Sequence, residues 1–102
     1  MARSLNHEVV IIGGGSAGIA TASSMLKRRP SLDIAIVEPS EDHYYQPGWT
    51  MVGGGVFDAP ATHRTTASVM PKQATWLKQA AASFQPESNQ VTLADGTTIT
   101  YR

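Results

Sequence analysis

The sequence predicts an α/β fold in which a βαβ unit is followed by a long loop and an antiparallel β-ribbon. Two short aliphatic runs flank a segment with helical spacing of its apolar residues, which is typical of a βαβ unit. Further along, short strand-like runs alternate with turn sequences, which predicts the ribbon. The chain has 102 residues, and at this length we expect one domain.

The βαβ unit is predicted from the first third of the chain. Residues 9–12 are two valines and two isoleucines, a run typical of a strand buried on both faces of a parallel sheet. Ile19, Ala22 and Leu26 then recur at helical spacing. Residues 34–37 repeat the aliphatic pattern and predict the second strand.

Between residues 40 and 70 the periodicity disappears. Aromatic residues, prolines and glycines in this stretch predict a long, structured loop, and loops of this length in compact domains are usually functional or disordered. The aromatic residues favour a functional loop. After the loop, the Thr-Trp-Leu run at 75–77 predicts a third strand.

The ribbon is predicted from turn sequences between short strands. An Asp-Gly pair is a strong signal for a two-residue hairpin turn, and the Pro-Glu-Ser-Asn run is rich in turn residues. The predicted strands are 80–84, 90–94 and 97–101, and the predicted turns are 86–89 and 95–96. The chain stops on the last strand although a doubly wound sheet needs more strands, so we expect a segment of a longer protein.

Composition excludes several classes of function. Eight basic residues balance eight acidic ones, so the chain lacks the excess of positive charge that is typical of nucleic-acid-binding proteins. The longest aliphatic run is far shorter than the roughly 20 residues that span a bilayer. No signal-peptide core is present at the start, and this predicts a cytoplasmic location. The chain has no cysteine, which excludes thiolate catalysis, and its three histidines lack metal-ligand spacing.

The most informative motif is the Gly-Gly-Gly-Ser-Ala-Gly run at 13–18, which matches G-x-G-x-x-G. Gly13 permits a tight turn out of the strand, Gly15 permits a pyrophosphate to approach the backbone, and Gly18 permits close helix packing. Glu38 lies 20 positions beyond Gly18, at the end of the second strand. Its carboxylate can accept hydrogen bonds from ribose hydroxyls, so the motif predicts dinucleotide binding.

The identity of the dinucleotide is narrowed by two observations. No basic residue lies beside Glu38, which disfavours a 2′-phosphate and leaves FAD or NAD rather than NADP. An NAD-binding unit normally continues through further βα repeats, whereas a long aromatic loop followed by an antiparallel ribbon is typical of FAD domains. We therefore expect an incomplete Rossmann-like FAD-binding domain.

Several side chains allow both a functional and a structural interpretation. His43 follows Asp42 and could transfer protons near a flavin, although such loop histidines are more often hydrogen-bonded surface residues. Tyr44, Tyr45 and Trp49 could line the approach to a flavin or quinone, or could anchor the long loop by burying apolar area.

Three stretches carry a resemblance to known flavoproteins. Residues 9–18 resemble the N-terminal FAD fingerprint of the flavoprotein disulfide reductase superfamily. Residues 43–55, which contain Tyr-Gln-Pro-Gly, are similar to the loop after the second strand in sulfide:quinone oxidoreductases. Residues 91–96 match the hairpin of that family. The resemblance covers essentially the whole chain.

The resemblance implies an enzyme that passes electrons from sulfide through FAD to a membrane quinone while lying on the inner membrane surface. It also implies a role for individual residues. These are Gly13, Gly15, Ser16, Ala17 and Gly18 at the pyrophosphate, Glu38 at the ribose, Pro39 and Ser40 beside the adenosine, Gln46 and Pro47 near the flavin, and the backbone of Ala81 at the adenine.

The family's redox cysteines, second dinucleotide-binding domain and C-terminal membrane elements have no counterpart in these residues, and we expect them after Arg102. The segment alone is then inactive, and exposed sheet edges favour its self-association. Two other classes remain open. One is a type II NADH:quinone oxidoreductase or another pyridine nucleotide-disulfide reductase-like flavoprotein, and the other is a non-catalytic nucleotide-binding module.

Overall fold

The computed structural model describes residues 3–44, 53–55 and 59–102. Two short 3-10 helices, Ala59–Thr62 and Pro86–Ser88, lie among its regular elements. The described α-helices are α1 (Ser16–Arg28) and α2 (Thr66–Val69), and the described strands are β1 (Ser4–Asn6), β2 (Val9–Ile12), β3 (Ile34–Val37), β4 (Asp42–Tyr44), β5 (His63–Thr65), β6 (Thr75–Leu77), β7 (Ala81–Gln85), β8 (Gln90–Leu93) and β9 (Thr98–Thr100).

A three-stranded parallel sheet with the order β2-β3-β6 carries the βαβ unit. Strand β3 lies in the centre, where Ile36 pairs with Ile11 of β2 and with Trp76 of β6. All four residues of β3 are buried, as expected for a central parallel strand. The predicted α/β class and the predicted third strand are therefore confirmed.

Helix α1 covers one face of this sheet. Its buried residues Ala22 and Leu26 pack against Ile34 and Ile36 of β3, which accounts for the helical spacing in the sequence. The basic residues Lys27 and Arg28 lie in its last turn, where the helix dipole favours positive charge.

A four-stranded sheet with the order β1-β9-β8-β7 covers the other face. Val91, Leu93 and Ile99 form a second core cluster with Val37 of the parallel sheet. Strands β7, β8 and β9 are antiparallel neighbours, as predicted for the ribbon. Strand β1 was not predicted, and it pairs with β9 in parallel.

Both predicted turns, at 86–89 and 95–96, are present. Each has a feature that the sequence pattern does not specify. Residues 86–88 form a 3-10 helix that ends on Asn89, whose φ of 50° is left-handed. In the Asp-Gly turn, Gly96 has a φ of 88°. The Asp95 carboxylate accepts a hydrogen bond from the Thr97 amide at 2.9 Å, which fixes the entry to β9.

The long loop contains regular structure of its own. Strands β4 and β5 form a two-stranded antiparallel ribbon, and α2 follows β5. Thr66 is buried; its amide donates to the Glu41 carbonyl at 2.7 Å and its hydroxyl to the Ser40 carbonyl at 2.9 Å. These bonds hold the chain between β3 and β4 against α2.

Among the helices described, none combines the length and the hydropathy that a membrane-spanning helix requires.

Gly18 in the first turn of α1 packs closely against the backbone of Gly13, so a larger residue there should lower stability. A Cβ atom at Gly18 would overlap the Gly13 carbonyl oxygen, which is backbone and cannot rotate away. We expect Gly18→Ala to lower the free energy of unfolding by about 1–3 kcal/mol, as for overpacked cores. The matched control is Gly15→Ala, since a Cβ there meets no atom within 4 Å. Urea unfolding of both variants measures the difference, and equal destabilisation would contradict the packing described.

The Asp95 turn generates a prediction about pH. The hydrogen bond from the Thr97 amide lowers the pKa of the Asp95 carboxyl below its ordinary value of 3.8. The ionised carboxylate therefore stabilises the fold above pH 3.8, and this stabilisation is lost as the pH falls through the lowered pKa. Asp95→Asn keeps an acceptor oxygen but does not titrate. Urea unfolding from about pH 2 to pH 5 should show the stability difference between the two proteins shrinking towards low pH; a constant difference would refute it.

Candidate functional site

Residues 13–15 of the glycine motif form a loop that joins β2 to α1 at the carboxyl end of the parallel sheet, and residues 16–18 begin the helix. The Gly13 amide donates to the Val37 carbonyl at 2.8 Å, and Gly13 has a φ of 101°, which favours glycine. The chain thus leaves the strand in a tight turn, as predicted. The loop faces a cavity of about 360 Å³ lined by Ile12, Gly13, Gly15, Ser16, Ala17, Gly18 and Tyr44.

The first turn of α1 presents amide groups to this cavity. Gly15 is the N-cap residue and makes no side-chain cap hydrogen bond, and the Ile19 amide donates to the Gly15 carbonyl at 3.0 Å. The amides of Ser16, Ala17 and Gly18 precede that bond and therefore have no acceptor within the helix. Together with the positive end of the helix dipole, they make this end of the cavity suited to an anion such as a phosphate.

Glu38 connects the glycine loop to the chain after β3. Its Oε1 accepts a hydrogen bond from the Gly14 amide at 2.7 Å, and its Oε2 accepts one from the Ser40 amide at 2.9 Å. A carboxylate has about four lone-pair directions, so these two bonds leave acceptor capacity on Glu38. The proposed contact with ribose hydroxyls stays a prediction.

The backbone of Glu38 is held by β6. Its amide donates to the Leu77 carbonyl at 3.0 Å, and the Trp76 indole Nε1 donates to the Glu38 carbonyl at 2.9 Å. Three strands therefore fix the position of the carboxylate relative to the glycine loop.

Gly14 contacts the Glu38 side chain closely, and the motif did not identify this residue. A Cβ atom there would lie 2.9 Å from both Cβ and Cγ of Glu38, so a side chain at this position would displace the carboxylate. Position 14 is variable in G-x-G-x-x-G, and the uninterrupted run of three glycines was the available signal.

The β4–β5 ribbon lies beside the loop. Nδ1 of the half-buried His43 lies 3.3 Å from the Gly14 carbonyl oxygen, and Tyr44 lines the cavity. The Tyr44 ring lies 5.0 Å from the His63 ring, and His63 Nε2 lies 2.8 Å from Asp42 Oδ1. His43 is therefore hydrogen-bonded, as the structural interpretation expects.

The remaining predicted residues are distributed as follows. Pro39 and Ser40 directly follow Glu38 and are exposed. Ala81 begins β7, an edge strand of its sheet, and packs against the second core cluster rather than lining the cavity. Gln46 and Pro47 lie outside the described residues. No cluster of metal-ligating side chains occurs within residues 3–44, 53–55 and 59–102.

Two curated proteins are similar to this chain over most of its length. No family model matches the chain. The chain is 46% identical over 92% of its length to a mitochondrial sulfide:quinone oxidoreductase of Dictyostelium discoideum, and 40% identical over 95% of its length to the one of Mus musculus. It spans 21% and 22% of those two proteins, about a fifth of their length.

A solved structure agrees with the sequence comparison. The X-ray structure of the sulfide:quinone oxidoreductase from Aquifex aeolicus matches 98% of this chain with a TM-score of 0.78 at 29% identity. The match covers 23% of that protein. By sequence and by fold, the chain is therefore related over nearly its whole length to the sulfide:quinone oxidoreductase family, which confirms the resemblance that its motifs predict.

Proposed function

We propose that this chain is the FAD-binding segment of a flavoprotein oxidoreductase that transfers electrons from sulfide to a quinone. The observation that carries the proposal is the cavity at the glycine loop. Residues at the start of α1 line this cavity, and the carboxylate of Glu38 is bonded to the adjacent Gly14 amide. Amides suit a pyrophosphate, and a carboxylate suits ribose hydroxyls.

The residues of this chain fit an FAD at its nucleotide end. Gly13, Gly15 and residues 16–18 would hold the pyrophosphate, and Glu38 the ribose. Pro39 and Ser40 would border the adenosine from the chain that follows β3. The flavin, when bound, would supply two-electron transfer, and Gln46 and Pro47 would lie near it, as the resemblance implies.

Ala81 would meet the adenine through its backbone. Strand β7 is an edge strand that pairs with β8, so one side of its backbone faces away from the sheet. Edge backbone groups can form hydrogen bonds with a ligand. This arrangement supports the role that the resemblance implies for Ala81.

The donor, the acceptor and the location are inferred from the relatives. Both curated relatives described above are named as sulfide:quinone oxidoreductases, which favours sulfide over NADH as the electron donor and quinone as the acceptor. Both are also named as mitochondrial. Association with the inner membrane surface is therefore part of the proposal, whereas a cytoplasmic location stays a prediction.

We also propose that the natural protein is longer than this chain. The chain spans about a fifth of its curated relatives, and its sequence holds no cysteine. A reaction that begins at a cysteine disulfide would need residues outside these 102. We infer that the described fold is the N-terminal FAD-binding part of a protein with a second dinucleotide-binding domain.

The pyrophosphate site is tested by Gly15→Val in the natural protein. Gly15 lines the cavity and an added Cβ meets no protein atom within 4 Å, so the protein should fold. The branched side chain would occupy the space of the pyrophosphate, and we expect FAD retention to fall at least about tenfold. The flavin absorbance per protein after gel filtration measures this. Wild-type flavin content in the variant would refute the proposal.

The ribose site is tested by Glu38→Ala. Loss of the carboxylate removes the bonds to Gly14 and Ser40 and the proposed bonds to the ribose, so we expect FAD to bind about tenfold more weakly. The matched control is Glu8→Ala, because Glu8 Oε1 also accepts a backbone amide, that of Asp33, but at the opposite end of the strands. Titration with FAD measures both, and equal affinities of the two variants would contradict the role of Glu38.

A further inference from the structure

The peptide groups on both sides of Gly14 are fixed by side chains from the chain after β3. The Gly14 amide belongs to the peptide that joins Gly13 to Gly14, and it donates to Glu38 Oε1 at 2.7 Å. The Gly14 carbonyl belongs to the next peptide, and its oxygen lies 3.3 Å from His43 Nδ1. Glu38 and His43 therefore contact two consecutive peptide planes of the glycine loop.

The contact with the Gly14 carbonyl determines which nitrogen of the His43 imidazole carries a hydrogen. A carbonyl oxygen can only accept, so His43 Nδ1 must carry the hydrogen and donate it. A donated hydrogen bond to this oxygen favours one orientation of the Gly14–Gly15 peptide. Because a trans peptide is planar, the Gly15 amide then points in the opposite direction to the Gly14 carbonyl.

His43 is itself held in place by the loop structure around it. It pairs with Arg64 across the β4–β5 ribbon. The same ribbon carries the contact of Asp42 with His63, at 2.8 Å, and Thr66 bonds to the carbonyls of Ser40 and Glu41 just before β4. The imidazole thus approaches the glycine loop from a supported strand rather than from a free chain.

We propose that His43 is a positioning residue of the dinucleotide site, which sets the direction of the Gly15 amide through the Gly14 carbonyl. It acts on the loop and not on the reacting atoms. Gly15 lines the cavity, so the orientation of its amide determines whether a pyrophosphate oxygen finds a preformed donor there. The identity of the ligand rests on the proposed function. The effect of His43 on the loop rests on the distances given above.

The test compares His43→Leu with His43→Asn in the natural protein, with and without its flavin. Leu fills similar space without a donor, whereas the Asn amide can donate from near the position of Nδ1. We expect His43→Leu to loosen the loop, and so to accelerate hydrogen exchange of the buried Gly14 amide, which donates to Glu38, in the flavin-free protein. We also expect it to weaken FAD binding about fivefold. His43→Asn should restore most of both. His7→Leu is the matched control, because His7 Nδ1 contacts Asp33 at 2.8 Å, away from the loop.

The outcomes separate this inference from the proposed function. Faster Gly14 exchange in His43→Leu alone, with rescue by Asn, supports the positioning role even if the wild-type protein binds no FAD. Absence of FAD binding in the wild-type protein would refute only the proposed function. Unchanged exchange and unchanged FAD affinity in His43→Leu would overturn the positioning role. Faster exchange throughout the parallel sheet in both His43 variants would also overturn it, since the effect would then be one on general stability.

Discussion

The bond between the Glu38 carboxylate and the Gly14 amide is the interaction on which the site depends. It joins the loop that follows β2 to the chain that follows β3, at the edge where parallel strands end. Gly14 must lack a side chain to permit it, because a Cβ would lie 2.9 Å from the Glu38 side chain. A single carboxylate therefore joins the two chain segments and places an acceptor group beside the glycine loop.

Strand β3 allows the carboxylate to occupy this position. All four of its residues are buried; Ile34 and Ile36 belong to the core under α1, and Val37 belongs to the core under the four-stranded sheet. Burial of each of these isoleucine and valine side chains stabilises the fold by about 1.5–3 kcal/mol. Strand β3 is therefore anchored in both cores, and Glu38 directly follows its last residue.

Local patterns predict the parallel sheet, α1 and the ribbon because aliphatic runs, helical spacing and an Asp-Gly turn are properties of neighbouring residues. Strand β1 could not be predicted, since Ser-Leu-Asn has no strand pattern and forms a strand through pairing with β9, 94 positions away at Ser4 and Thr98. The β4–β5 ribbon has three-residue strands of mixed polarity. Its contact with Gly14 through His43 depends on tertiary structure and leaves no signal in the spacing.

If these residues form the FAD-binding part of a larger flavoenzyme, as we propose, the natural protein is longer and holds FAD. The most direct test is a mass spectrum of the protein from its natural source, with identification of any released cofactor in the same experiment. We expect a polypeptide several times longer than 102 residues that releases FAD. A polypeptide of about this length that carries no flavin would contradict it, and the glycine loop would then belong to a nucleotide-binding module without redox chemistry.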